Sequence, residues 1–425
     1  MQDIKELLEH HKQTHLLQFW DSLSERQKRR FKRQLDSLDL SRLGEMRDAL
    51  AHMKNKPDRH LSPAPSFELS SREFPYQPAI EAMAVAPKGD AAISRGEVAV
   101  LMVAGGQGTR LGFDGPKGCY ELLPLSNMTL FEVFARKVKR VELEHNRPLP
   151  LYIMVGNHNE ADTRNFWEEN DYFGLDAENV KFFAQGEMPA LDENGNMLLA
   201  EGNRIFTSPD GHGGVLQALH DKGMLADMRE RGIRYLSYLQ IDNAMTPVAD
   251  AAFIGLHIEE GAEVSLKVVR KTEPSERVGI YCLDDGVPGI VEYSEFSEVQ
   301  SAERNDSGDL KYWGGSIAVH VFSVDYMNGL VESGTDLPLH AAFKKIPHLN
   351  SDGVLLEPDG PNAYKFERFI FDTIPTAKKV VCLEVARDEQ FLPLKNADGP
   401  HGPEGMRSAY INYWASAVEK VTGKR

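Results

Sequence analysis

Apolar positions recur along this chain with two different periods, and the change between them marks its organisation. Over the first fifty or so residues Leu7, Leu8, His11, His15 and Leu16 return at helical spacing, and Ser22-Leu23-Ser24-Glu25 carries the capping-box pattern that opens a further helix. A stretch rich in Pro and Ser follows, with Pro57, Pro63, Pro65, Pro75, Pro78 and Pro87, and predicts a linker or a strap laid over another domain. From Gly96 the texture changes. Val98-Ala99-Val100-Leu101-Met102-Val103 is an unbroken apolar run, the pattern of a strand buried on both faces of a parallel sheet. Leu130 to Glu144 reads as a helix, while Leu151 to Val155, Val180 to Phe183 and Tyr235 to Ile241 read as strands, the last ending abruptly at Asp242-Asn243. Such alternation predicts an α/β sheet with crossover helices, and such sheets bind ligands beyond the carboxyl ends of their strands.

Beyond about residue 263 the predicted strands are shorter and more amphipathic: Val264 to Val269, Val278 to Cys282 and Ile290 to Ser294. They predict an antiparallel sub-sheet added to the parallel core. Helical and loop segments are expected from Pro338 onward, then one strand and a terminal helix from Val380. The expected division is an N-terminal helical region with its strap over residues 1–90, an α/β domain over 91–378 and a small C-terminal region over 379–425.

Composition narrows the function. With 48 Lys and Arg against 64 Asp and Glu, the net charge is −16, which disfavours nucleic acid and anionic membranes as partners. An anionic ligand must then be met by a few placed cations, by backbone N–H groups and by a divalent metal. The three cysteines, Cys119, Cys282 and Cys382, have neither metal-ligand spacing nor a disulfide framework, which fits a reducing compartment. No apolar run is long enough to span a bilayer, so the cytosol is the expected location.

The sharpest chemical signal is Ala104-Gly105-Gly106-Gln107-Gly108-Thr109-Arg110-Leu111-Gly112, followed by Pro116-Lys117-Gly118. Glycines directly after a buried strand let the backbone approach a ligand and turn its N–H groups inward. Arg110 adds a forked donor for phosphate oxygens and Lys117 a point charge. The spacing is not that of a Walker A loop, which needs Gly-x-x-x-x-Gly-Lys-Ser/Thr. Nor is it the Gly-x-Gly-x-x-Gly of dinucleotide folds. A plain strand-to-helix turn is the other reading of such a loop taken alone.

The stretch Gly105 to Gly118 resembles the signature loop of the eukaryotic-type UDP-sugar pyrophosphorylases. Later segments resemble that family's motifs in the same order: Ser208-Pro209-Asp210-Gly211-His212-Gly213-Gly214, Gln240-Ile241-Asp242-Asn243, Glu276-Arg277-Val278-Gly279, Val291-Glu292-Tyr293-Ser294-Glu295 and Phe391-Leu392-Pro393-Leu394-Lys395-Asn396-Ala397. The resemblance implies a Rossmann-like nucleotidyltransferase fold, a mixed sheet flanked by helices. It also implies a reaction in which a sugar 1-phosphate attacks the α-phosphorus of UTP and pyrophosphate leaves. Gln107, the Asp242-Asn243 pair and Lys395-Asn396-Ala397-Asp398 bring it nearest to the branch that makes UDP-N-acetylglucosamine. UDP-glucose or broad-specificity UDP-sugar formation is the alternative, with a non-catalytic sugar-nucleotide sensor behind it.

The same resemblance implies roles. Arg110 and Lys117 would face the UTP phosphates, Lys395 the phosphates of the product, and Asp242 would hold Mg²⁺. Gln185 would read the uracil edge, its amide donating and accepting at once, with Gly211 and the backbone at Ala104, Gly105 and Gly106 close by. Gly279 and Glu292 would meet sugar hydroxyls, joined in the sugar pocket by His212, Asn243 and Ser316. The acetamidosugar enzymes carry asparagine where this chain has His212 and Ser316, so its departures fall at the sugar and not at the phosphates.

Other features carry less. His11 and His15 form an i, i+4 pair without a third ligand, and the basic run Arg26 to Arg33 reads as one face of a helix. Cys119, beside Lys117 and Gly118, is an expected reactive thiol without a catalytic role.

Overall fold

A computed structural model of the chain describes residues 2–54, 59–73, 76–123, 126–399 and 401–423. Pro57 and Pro75 of the expected strap lie outside the described residues. The chain divides into two compact units, one made of residues 1–58, 185–215 and 336–370, the other of residues 59–184, 216–335 and 371–425.

The larger unit is built on a ten-stranded mixed sheet. Its strands are β1 (Leu61–Pro63), β2 (Val98–Val103), β3 (Leu151–Val155), β4 (Val180–Ala184), β5 (Tyr235–Gln240), β6 (Val264–Arg270), β7 (Ile280–Asp284), β8 (Val287–Val291), β9 (Gly314–Ser323) and β10 (Val380–Glu384). The order β5-β2-β3-β4 is parallel throughout, with Val98 opposite Tyr235, Val100 opposite Leu151 and Leu151 opposite Val180. β2 and β3 are apolar at every position and buried at all but Val103, the pattern of strands covered on both faces. On the other side β9 is antiparallel to β5, β6 and β7, β7 pairs antiparallel with β8, and β10 runs parallel to β6. The antiparallel addition expected beyond residue 263 is therefore present, with one parallel partner inside it.

The strap expectation holds in part. β1 adds to the sheet edge on β7, and the Phe67 N–H donates to the Cys382 carbonyl. Buried Glu384 then fastens the segment, accepting from the Leu69 N–H and from the Arg72 and Arg270 guanidinium groups. Pro87, however, lies inside the helix Ile80–Arg95. That helix crosses Ala251–Glu259 where neither can carry a side chain: a Cβ on Gly89 would stand 1.9 Å from the Ala251 carbonyl oxygen, and one on Gly255 2.2 Å from that of Val85.

The smaller unit has its own core, where Leu8, Leu16, Phe31, Leu35 and Leu43 of the N-terminal helices pack with Leu191, Leu199, Ile205 and Phe366. The helix Glu25–Ser37 is capped by Ser24, whose hydroxyl accepts from the Gln27 N–H while Gln27 reaches back to the Ser24 N–H. The capping box is thus Ser24 with Gln27, two residues beyond the expected one. His11 and His15 do not share a helix face, because Gln2–His10 ends before a turn and Thr14–Leu17 is a separate short helix. The region after Pro338, expected as helix and loop, forms strands: His340–Lys344 pairs with Ala363–Glu367, and His348–Leu349 with Leu355–Leu356. The closing strand and the terminal helix Pro403–Thr422 are as expected. Among the described residues no helix is long and apolar enough to cross a membrane.

Candidate functional site

The parallel strands β5, β2 and β3 end at one edge of the larger unit, and the phosphate candidates gather there. The loop after β2 folds back on itself: the Lys117 N–H donates to the Gly106 carbonyl at 3.0 Å and the Gly108 N–H to the Gly115 carbonyl at 2.9 Å. Both closures fix where Lys117 stands. Gly118 beside it is required by space, since a Cβ there would lie 2.1 Å from the Phe131 ring. From the end of β3, buried Asn159 holds the loop from below, its amide donating to the carbonyls of Gly105 and Gly106 and accepting from the Gly156 N–H. Asn159 belongs to none of the motifs; only the folded chain brings it under the glycines. Ala104 and Gly105 are buried, while Gly106 is exposed.

The Lys117 ammonium lies 3.7 Å from the Asp242 carboxylate, both side chains largely buried. Burial pulls the Lys117 pKa below its ordinary value; Asp242 raises it, and the charges of Lys395 and Arg110 push it down again. The three expected cations therefore act on one another electrostatically, with one carboxylate among them. Lys395 and Arg110 are exposed. Such a group is short of negative charge, and a polyphosphate supplies it.

Lys395 reaches this group through a network that starts on β6. The fully buried Lys267 ammonium donates to the Asp250 carboxylate at 2.6 Å and to the Gln390 side chain at 2.7 Å. The Gln390 carbonyl accepts from the Asn243 amide, Asn243 accepts from the Leu392 N–H, and the Leu394 N–H donates to the Asp242 carbonyl. Asn243, expected in the sugar pocket, thus has both ends of its amide engaged by the segment that presents Lys395. It fastens that segment to the Asp242 strand end.

The remaining sugar candidates of this unit meet at the ends of β7, β8 and β9. The Ser316 N–H donates to the Gly279 carbonyl at 2.8 Å, and a Cβ on Gly279 would stand 3.3 Å from a Glu292 carboxylate oxygen and 2.6 Å from Ile290. Gly279 thus leaves room beside the carboxylate.

In the smaller unit Gln185 and Asp210 are both buried, and the Gln185 amide donates to the Asp210 carboxylate at 3.4 Å. Gly211 adopts φ +84° against the Arg368 backbone, where a side chain fits neither by angle nor by space. The His212 ring stacks on Phe369, centroids 5.2 Å apart, and its Nδ1 accepts from the Ile370 N–H. That bond leaves the ring proton on Nε2. Burial, with His340 nearby, pushes the His212 pKa down to about 4, so the imidazole is neutral at physiological pH.

Cys119 departs from expectation. Burial, reinforced by Asp162, pushes its thiol up to about 12, so the reactive thiolate does not form.

Comparison with known proteins identifies the family. Residues 72–399 match the family described as UTP–glucose-1-phosphate uridylyltransferase. A UDP-N-acetylhexosamine pyrophosphorylase-like protein 1 of Xenopus tropicalis is 37% identical over 400 residues, covering 91% of this chain and 78% of the relative. The UDP-N-acetylglucosamine pyrophosphorylase of Saccharomyces cerevisiae is 34% identical, covering 99% of this chain and 91% of its own length. Among solved structures, the uridine diphosphate N-acetylglucosamine pyrophosphorylase of Trypanosoma brucei, in complex with inhibitor, is similar with a TM-score of 0.82 and 30% identity, over 97% of this chain and 86% of that one. Its sequence, fold and ordered motifs together place this chain in the UTP–glucose-1-phosphate uridylyltransferase family, among the UDP-sugar pyrophosphorylases.

Proposed function

We propose that this chain joins UTP to N-acetylglucosamine 1-phosphate, giving UDP-N-acetylglucosamine and pyrophosphate. The observation that carries this reading is the grouping of Arg110, Lys117 and Lys395 about Asp242 at the strand ends, three cations with one carboxylate among them in a protein of net charge −16. The branch is supported by relatives carrying that activity in their names.

A sugar-phosphate oxygen attacks the α-phosphorus in line, and the bond to the pyrophosphate oxygen breaks. No covalent bond to the protein is needed, so the chain's work is to hold two anions together and to neutralise charge on the phosphates. In this reading Arg110 and Lys117 meet the UTP phosphates and Lys395 those of the product, while Gln185, Gly211 and the backbone at Ala104, Gly105 and Gly106 hold the uracil. Glu292, Ser316 and His212 face the sugar, with Gly279 making room. Asn243, expected in the sugar pocket, fastens the segment that carries Lys395 and keeps one amide N–H beyond the bond to Gln390.

The cation is Mg²⁺ in this reading, and the donor set fits it. No group of three His, Cys, Asp or Glu able to hold a metal occurs among the described residues. Mg²⁺ needs only one or two carboxylates when phosphates and water complete its shell, and Asp242 supplies a carboxylate beside Lys117. When bound, it would neutralise phosphate oxygens and so weaken the bond that breaks.

One observation favours a second sugar. His212 and Ser316 stand where the acetamidosugar enzymes have asparagine, which makes glucose 1-phosphate the competing substrate. The test is pyrophosphate release from UTP and Mg²⁺ with the two sugar phosphates in parallel. A higher kcat/KM for N-acetylglucosamine 1-phosphate is expected. Preference for glucose 1-phosphate would move the assignment to UDP-glucose, and silence with both from a folded protein that binds UTP would overturn it.

A further inference from the structure

The Asp210 carboxyl occupies a space that exists only because two neighbours lack side chains. A Cβ on Gly186 would stand 2.5 Å from one of its oxygens, and a Cβ on Gly214 2.1 Å from the other. The backbone fixes it as well, the Asp210 N–H donating to the Gly186 carbonyl and the Arg368 N–H to the Asp210 carbonyl. In this cradle the carboxylate faces the Gln185 amide and accepts from its Nε2.

An amide can be turned end for end at almost no cost in shape, so Gln185 alone does not determine which pyrimidine it matches. A carboxylate only accepts, which settles the choice: it takes the NH₂ end and leaves Oε1, with one remaining N–H, for a ligand. That pair of groups matches an imide edge, where N3–H donates and O4 accepts. It mismatches cytosine, whose N3 accepts and whose 4-amino group donates.

We propose that Asp210 is the positioning residue that fixes the Gln185 amide, and that it thereby sets the selection of uracil over cytosine. The inference rests on the reading of Gln185 as the residue that faces the base. Protonation reverses the argument, because a neutral carboxyl can donate to Oε1 and let the amide turn. Burial raises the Asp210 pKa to about 7; the Gln185 bond and the Arg42 charge hold it down, and Glu187 pushes it up. Selection is therefore strongest well above neutrality and weakens as the pH falls.

The experiment compares kcat/KM for UTP and for CTP, with the same sugar phosphate, in the wild type and in Gln185→Ala and Asp210→Asn. The two nucleotides carry the same triphosphate, so its titration cancels in the ratio. Asp210→Asn, which offers both a donor and an acceptor, is expected to lower the UTP/CTP ratio about tenfold or more, and Gln185→Ala at least as much. The KM for the sugar phosphate should stay within about twofold, a separation that loss of structure would not give. In the wild type the ratio should fall between about pH 8 and about pH 5.5, a readout that needs no variant. A ratio that stays flat with pH and survives Asp210→Asn, while Gln185→Ala collapses it, overturns the role of Asp210 and leaves that of Gln185 standing. A ratio that survives Gln185→Ala overturns both.

Discussion

The cation cluster around Lys117 and the buried pair Gln185–Asp210 treat charge in opposite ways. At the cluster, Arg110 and Lys395 are exposed and Lys117 is largely buried, and their mutual repulsion is left standing with Asp242 as partial relief. At the pair, burial drives a carboxyl towards its neutral form and direction, not charge, is what the amide offers a ligand. The first arrangement suits transition-state neutralisation, which gains from positive charge not already cancelled. The second suits recognition, which gains from a donor and an acceptor held in fixed places. Each would fail at the other's task, since a buried neutral amide cannot stabilise a leaving pyrophosphate and an exposed lysine cannot tell one pyrimidine from another.

The largest expected effect breaks the cluster. Lys117→Ala should lower kcat by about 10²–10³-fold, the range for removal of one placed charge-stabilising donor. Its thermal midpoint should stay close to that of the wild type or rise slightly, because the lost ammonium is desolvated and lies among like charges. Steady-state rates together with a thermal melt check this. Unfolding of the variant would mean that Lys117 supports structure, and an unchanged kcat would remove it from the phosphate site.

The two regions also differ in how far the sequence displays them. The glycine loop and Asp242 were legible because local pattern places them: a two-face-buried strand must end somewhere, and glycine, lysine and carboxylate residues at that end have little structural reason to be there. Asn159 and Lys267 were not legible. Each acts across long sequence separations, Asn159 on Gly105 and Gly106, and Lys267 on Gln390. The bonds of Asn243 to the segment near residue 392 were hidden for the same reason. The smaller unit was hidden more thoroughly, because three separate stretches of chain make it. Its short strands, such as His340–Lys344, are stabilised by partners more than by their own alternation. Pro87 misled through composition, since one proline in sixteen residues does not outweigh the packing of Ile80–Arg95.

An intermediate effect sharpens the comparison from the side of the pair. An acid held at about 7 in the folded state, against its ordinary 3.8, binds a proton on folding between those values. The folded state thus holds more protons than the unfolded one, so this group costs nothing below about pH 4 and its penalty grows until about pH 7. At pH 8 the penalty is on the order of 4 kcal/mol as an upper bound. Asp210→Asn should therefore stabilise the protein at pH 8 and change little at pH 4, as followed by denaturant unfolding at both. A variant destabilised equally at both values would show that Asp210 is held by hydrogen bonds worth more than its burial costs.

The smallest expected effect lies at the sugar, where the departures from the acetamidosugar enzymes are. Ser316 uses its backbone N–H to close on the Gly279 carbonyl, so that bond survives any side chain placed there. Ser316→Asn gives up the long 3.4 Å bond that the hydroxyl accepts from the Ala318 N–H, but it should fold and keep its turnover with UTP, its main change being what the side chain offers a ligand. An asparagine adds a donor and an acceptor, worth about 1 kcal/mol when a neutral hydrogen bond forms, or about fivefold in the ratio of kcat/KM for N-acetylglucosamine 1-phosphate over glucose 1-phosphate. A ratio moved in that direction would place Ser316 at the acetamido group. An unmoved ratio would remove Ser316 from the acetamido group.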